Sequence, residues 1–154
     1  MDKDKILAVK WAARLGRALQ DTPAGKMAAD AKDPAKFHRS LLGRARPGTA
    51  KKRVRDWELF SRWLTWAKGH AWPEEVGDLI GHLASRVSEG CLASFPVEFK
   101  SAVVWMEARA GYPTSQNLGG HEIFKKFIDR AAVEVERITL YRLWHVARRH
   151  VGWA

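Results

Sequence analysis

Apolar residues recur at helical spacing along nearly the whole chain, a pattern that suits helices and little else. Leu7, Trp11, Leu15 and Leu19 form one stripe, with Lys10, Arg14 and Arg17 on another. Val54, Trp57, Phe60, Leu64 and Ala67 form a second apolar stripe, and Val76, Leu79, Ile80, Leu83 and Val87 a third. Phe95, Phe99, Ala102, Val103, Met106 and Ala110 follow, then Ile123, Phe124, Phe127, Ile128, Ala131 and Val135. The pattern continues through Leu140, Leu143, Trp144 and Ala147. No segment alternates with period two for long enough to make a strand.

Glycine and proline punctuate these stripes. Asp33 with Pro34 reads as a helix start, as does Thr49 after the Arg46-Pro47-Gly48 loop. Pro73 opens another helix, with Glu74 and Glu75 suited to its positive end. Ser94 caps the next, with Pro96 in its first turn. Gly69, Gly90 and Gly111 read as stops. Residues 21–25 read as a break and 114–120 as a polar linker. The expectation is an all-α chain: four helices across about 49–135 within a domain at 44–135, a helical arm at 1–43, and a basic tail or fifth helix at 136–154.

With 154 residues, of which 46% are hydrophobic, the chain is long enough for one domain with a core. Its 27 Lys+Arg against 17 Asp+Glu leave a net charge of +10, a property that bears on partners rather than fold. The charge is segregated. Residues 44–68 carry eight basic and two acidic groups, and residues 69–99 carry one basic and five acidic. Arg44, Arg46, Lys51, Lys52, Arg53 and Arg55 crowd the start of one helix, where the macrodipole is already positive. A phosphate there would be drawn both to the side chains and to the free backbone N–H groups. The tail group of Arg142, Arg148 and Arg149 with His145 and His150 is a further basic cluster.

Signatures of enzyme chemistry are scarce. The chain has no P-loop, dinucleotide-binding turn, His-Glu-x-x-His or nucleophile elbow. The six histidines show no metal-ligand spacing. Cys91 is the only cysteine, so neither an internal disulfide nor a Cys-based zinc site is possible, and it reads as a small buried hydrophobe. Most of the eight Trp residues fall at core spacing. With no long apolar run and an N-terminus beginning Met-Asp-Lys-Asp-Lys, neither a membrane span nor a targeting peptide is expected. The expected location is cytoplasmic or nuclear, with no cofactor and no small-molecule substrate.

The order of these features carries a resemblance. The run "GTAKKRVRDWELFSRWLTWAKGHAWPEEVGDLIGHLASRVSEGCLASFPVEFKSAVVWMEARAG" resembles the N-terminal core-binding, or SAM-like, domain of tyrosine recombinases and phage integrases. Thr49, Trp57, Phe60, Trp63, Pro73, Leu79, Ile80, Leu83 and Ser94 occupy the places of that family's helix starts and core positions, over about residues 47–135. The resemblance implies a four-helix domain that clamps duplex DNA, with other protomers on the same DNA. With the basic cluster, it makes Arg46, Thr49, Lys51, Lys52, Arg53, Arg55, Arg62, Ser94 and Lys100 the candidate DNA-binding residues. The family's catalytic domain has no counterpart in this chain. His145, Val146, Ala147 and Arg148 match the family's His-x-x-Arg box by letters only, and no tyrosine follows. Binding without cleavage is therefore expected.

Two other readings compete. A helical protein–protein adaptor would dock an acidic partner on the basic helix and use exposed Trp residues as anchors. Its mark would be Trp63 and Trp66 exposed together beside an apolar patch, whereas burial of both, with Lys51, Lys52, Arg55, Arg62 and Lys100 in one concave stripe, would mark the DNA reading. More weakly, residues 1–22 read as a basic amphipathic anchor for a membrane surface.

Overall fold

The structure is a computed structural model and describes residues 2–150. Its seven α-helices are α1 (Lys3–Ala18), α2 (Pro23–Ala29), α3 (Pro34–Leu42), α4 (Pro47–Lys68), α5 (Val76–Glu89), α6 (Phe95–Ala110) and α7 (Glu122–His150). A 3₁₀ turn at Thr114–Gln116 precedes α7. No strand occurs among the described residues, so the fold is all-α.

α4 is the centre of the bundle. It packs most closely against α6 on one side and α1 on another, while α5 and α6 both pack on α7. Trp57, Phe60, Phe99 and Phe124 are wholly buried, each stabilising the fold by roughly 1.5–3 kcal/mol through apolar burial. Their rings form an edge-to-face chain: Trp57–Phe60 at 5.2 Å, Phe60–Phe99 at 5.2 Å and Phe99–Phe124 at 5.9 Å between centroids. That chain ties α4, α6 and α7 together. Residues 1–43, read from the sequence as an arm, contribute Trp11, Leu15, Leu19 and Leu42 to the same buried cluster.

The glycine stops hold. Gly69, Gly90 and Gly111 have φ of 80°, 92° and 86°, the left-handed region that favours glycine, immediately after α4, α5 and α6. Asp33 also caps α3 as expected, its side chain accepting from the Lys36 N–H at 3.1 Å.

Several helix starts differ from expectation. α4 begins at Pro47 rather than after Thr49, because proline's fixed φ suits the first helical position; Arg46 is the residue ahead of it and makes no side-chain cap bond. Thr49 lies inside the first turn. α5 begins at Val76 rather than Pro73. The Asp78 carboxylate reaches back to accept from the backbone N–H groups of Glu74 at 2.9 Å and Glu75 at 3.4 Å, which sets the start later. Ser94 precedes α6 without a capping bond. The break expected at residues 21–25 is present but ends early, with turns over 19–22 between α1 and α2. Thr22 accepts from the Gly25 N–H at 3.2 Å, and Pro23 opens α2.

α7 is one helix of 29 residues, so the expected tail continues it without a break up to His150. Residues 151–154, which complete the sequence-defined tail, lie outside the described residues. The helical pattern beyond Val135 does not mark a buried face: Leu140, Leu143 and Trp144 are 61%, 60% and 50% exposed. Ala67, expected inside, is also exposed.

The Glu107 carboxylate on α6 was not singled out by sequence. It is buried and accepts from the backbone N–H groups of Leu118 and Gly119, at 2.5 and 2.8 Å, which tethers the connection into α7. Burial pushes its pKa up, against the two backbone hydrogen bonds.

Candidate nucleic-acid interface

At about 100° per residue, Lys51, Arg55, Arg62 and Trp66 fall on one side of α4, away from Trp57, Phe60 and Leu64. All four are exposed, Trp66 at 84%. Leu59, on the same side, is 41% exposed.

α1 brings a second basic stripe alongside. Its Lys10, Arg14 and Arg17 are spaced four and three residues apart beside the buried Trp11 and Leu15. Trp11 is the joint between the two helices. Lys10 Nζ lies 5.5 Å from its ring centroid, with the guanidinium carbons of Arg14 at 4.6 Å and Arg55 at 5.6 Å. Three cations from two helices thus gather on one indole, each gaining cation–π attraction of about 0.5–1 kcal/mol or more. Arg14 also forms an ion pair with Glu58, with Nε 3.2 Å from Oε2, and Arg62 Nε donates to the Glu58 backbone oxygen at 3.4 Å. A groove of about 590 Å³ runs between the helices, with Arg14, Arg17, Arg62 and Trp66 along its walls and the buried Trp57 as floor.

The other candidate residues lie apart from this face. Lys52 pairs with Glu98 of α6. Arg53 is half-buried, with one guanidinium nitrogen buried and without a hydrogen-bond partner. Between them, the Asp56 carboxyl is pushed up in pKa by burial and then by Glu98, while Lys52, Arg53 and Arg86 oppose the shift. Lys52 and Arg53 therefore belong to a charge cluster between α4 and α6. Arg46 and Thr49 are exposed at the N-terminal end of α4, but Thr49 is turned well round the helix from Lys51 and Arg55. Ser94 is exposed ahead of α6, and Lys100 is half-buried on it.

Sequence reasoning missed Arg14, Arg17, Lys10 and Trp66 as members of the site. The basic stripe on residues 10–17 was legible, but its neighbour in space was not. Trp66 enters the sequence reading only as half of the adaptor's mark, outside the inner stripe of Val54, Trp57, Phe60, Leu64 and Ala67. Trp63 is in fact half-buried and stacked on Phe60, at 6.5 Å and 19°. The two Trp residues are therefore split, one packed and one in solvent, so neither the adaptor's mark nor the DNA reading's is met; the stripe expected for DNA is also divided, with Lys52 paired to Glu98 and Lys100 apart on α6.

His82 of α5 is buried in a cage of aromatic rings: Phe60 at 5.2 Å, Trp63 at 5.4 Å, Phe95 at 5.9 Å and Phe99 at 4.9 Å. Neither ring nitrogen has a hydrogen-bond partner. Burial, with a smaller contribution from Arg86, holds its pKa down to about 4. Cys91 is half-buried, and burial pushes its thiol up.

A larger recess of about 920 Å³ lies by the loop after α4, with His70, Trp72, Glu74, Tyr112 and Asp21 in its walls. Its two acids suit a polyanion poorly. Among the described residues, no group of three or more His, Cys, Asp or Glu side chains is placed to hold a metal ion, and no helix is long and apolar enough to cross a membrane. No known protein family, curated protein or solved structure matches the chain.

Proposed function

We propose that this chain binds duplex DNA through the outer face of α4 together with α1. The observation that carries the reading is the joining of two basic stripes, distant in sequence, around Trp11. Lys10, Arg14, Arg17, Lys51, Arg55 and Arg62 then share one side of the molecule. Of the two acids on α4, Glu58 is engaged by Arg14, and Asp56 is half-buried toward α6. The first turn of α4, residues 47–50, holds no acid, so a phosphate there would meet its free backbone N–H groups, with Arg46 ahead of it and Lys51 just beyond. The resemblance to the recombinase core-binding domain supplies the step from polyanion to duplex DNA. In this reading the chain is a binding module acting in DNA recombination or integration, alone or beside other protomers, and does not itself cut DNA.

The test is titration of duplex DNA at two salt concentrations. Six phosphate contacts predict an affinity falling roughly a thousandfold between 50 and 200 mM salt. The triple variant K51E/R55E/R62E should weaken binding at least a hundredfold for every duplex sequence, with the fold intact. A flat salt response, or no binding at low salt, overturns the reading.

A second reading is favoured by a separate observation. Val133, Leu140 and Trp144 expose a strip of α7 opposite the side that packs on α5 and α6. A protein–protein adaptor would use such a strip, with Trp66 as a further anchor. A chain that ignores DNA at low salt but sediments as a complex with itself or an acidic protein would leave this reading standing in place of the first.

A further inference from the structure

We infer that Trp66 is a stacking platform for an unpaired DNA base, so that the preferred ligand of the α1–α4 face is DNA with a single-stranded segment rather than uninterrupted duplex. This rests on the DNA-binding reading and narrows its substrate.

Among the described residues Trp66 is the most exposed large hydrophobic, at 84%, whereas Trp11 and Trp57 are almost wholly buried. The indole does not help to close the bundle. Its surroundings carry a cationic excess: Arg62 stands one turn earlier on α4, Arg14 and Arg17 of α1 line the same groove, and the one carboxylate in that groove, Glu58, is paired with Arg14. An acidic protein could satisfy those cations, but a nucleotide satisfies the cations and the ring together, because it carries an anion and a flat π-face on one unit.

Duplex DNA keeps its base faces stacked internally and offers only edges and backbone, so the indole would gain little from it. An unpaired base exposes its face, and stacking on an aromatic side chain is sequence-tolerant. The groove's 590 Å³ lies within the size range of sites that take small ligands, with a buried aromatic floor at Trp57 and cations along its walls. Leu59, 41% exposed on the same side of α4, extends the apolar strip by one further position. Basic side chains that track a backbone beside an aromatic that holds a base are the parts of a single-strand site.

The experiment compares the full chain with Trp66→Ala and Trp66→Phe on two probes at one salt concentration: a single-stranded oligothymidylate of about twelve nucleotides and a blunt duplex. The single strand is expected to bind more tightly than the duplex. Trp66→Ala should weaken single-strand binding about tenfold or more and leave duplex binding within about twofold, while Trp66→Phe keeps most of the single-strand affinity. Because Trp66 lies in solvent, both variants should unfold at the parent's temperature, and thermal unfolding checks this. Single-strand binding that is no tighter than duplex binding, or that ignores Trp66→Ala, overturns the inference and leaves the duplex reading intact. Equal weakening on both probes also overturns it and makes Trp66 a duplex contact. No binding of either probe at low salt removes both the inference and the reading beneath it.

Discussion

On the inner side of α4, Val54, Trp57, Phe60 and Leu64 are wholly buried, while on its outer side Lys51, Arg55, Arg62 and Trp66 lie in solvent. The inner side is an aromatic seam shared with α5 and α6, closed by the edge-to-face rings and His82. The outer side meets only α1 at its margin, through Trp11 and Glu58. What the contrast teaches is where stability and recognition reside. Removing an inner ring costs the fold several kcal/mol, whereas an outer cation such as Arg55 adds about 1 kcal/mol through Trp11 and is repelled by its neighbours. An exposed Trp among cations contributes little apolar burial to the fold.

The most severe way to break this division is from the inside. Phe60→Ala should lose about 3–5 kcal/mol of stability, read as a lower urea midpoint at unchanged slope, because the cavity left among Trp57, Phe99 and His82 cannot close. A loss under 1 kcal/mol would show that the inner seam is not what holds the bundle.

The next largest effect depends on pH. His82 has a folded-state pKa of about 4 against an ordinary 6.5. Above pH 6.5 it is neutral whether folded or not, and its contribution is complete. As pH falls below 6.5, the unfolded chain takes up the proton first and stability drops, by about 3 kcal/mol on reaching pH 4, where the loss levels off. His82→Leu should abolish that part of the acid sensitivity. At pH 7 it should stabilise the protein by about 1 kcal/mol, since two unpaired buried nitrogens disappear. Urea midpoints at pH 7 and 4.5 decide the matter: an equal fall in parent and variant would exclude His82 as the source.

The smallest stability effect belongs to the outer side. Arg55→Ala should change stability by no more than about 1 kcal/mol, the size of its cation–π contact with Trp11, while lowering the salt slope of DNA binding by about one. A larger stability change would mean that the stacking of Arg55 on Trp11 holds α1 in place, and that the two sides are less separate than the burial pattern suggests.

Much of this was legible in residue order. Phe95, Phe99, Ala102, Val103, Met106 and Ala110 were read as the inner stripe of their helix, and all are buried. Three glycine stops were read correctly because a positive φ after a helix is a local demand. Local sequence failed where a start depended on competition between neighbours, as when Pro47 displaced Thr49 and Asp78 delayed α5. It also failed along the end of α7, where helical spacing persists but no second element is there to bury Leu140 or Trp144. Within the candidate site, spacing reads Lys52, Arg55 and Arg62 as sharing a side, with Lys51 close to it. The structure keeps Lys51 with Arg55 and Arg62, while Lys52 is drawn aside by Glu98, 46 residues later.

The sequence by itself determined the helical class, most of the core stripes and the position of the basic excess. Those properties follow from periodicity and composition, which act over a few turns of chain. The tertiary structure decided which cations stand together. It set α1 against α4 across Trp11, spent Lys52 on Glu98, half-buried Arg53 and left Trp66 in solvent. Such outcomes depend on how whole helices pack, and a helix's neighbour is chosen by the burial of its apolar face, not by the charges beside it.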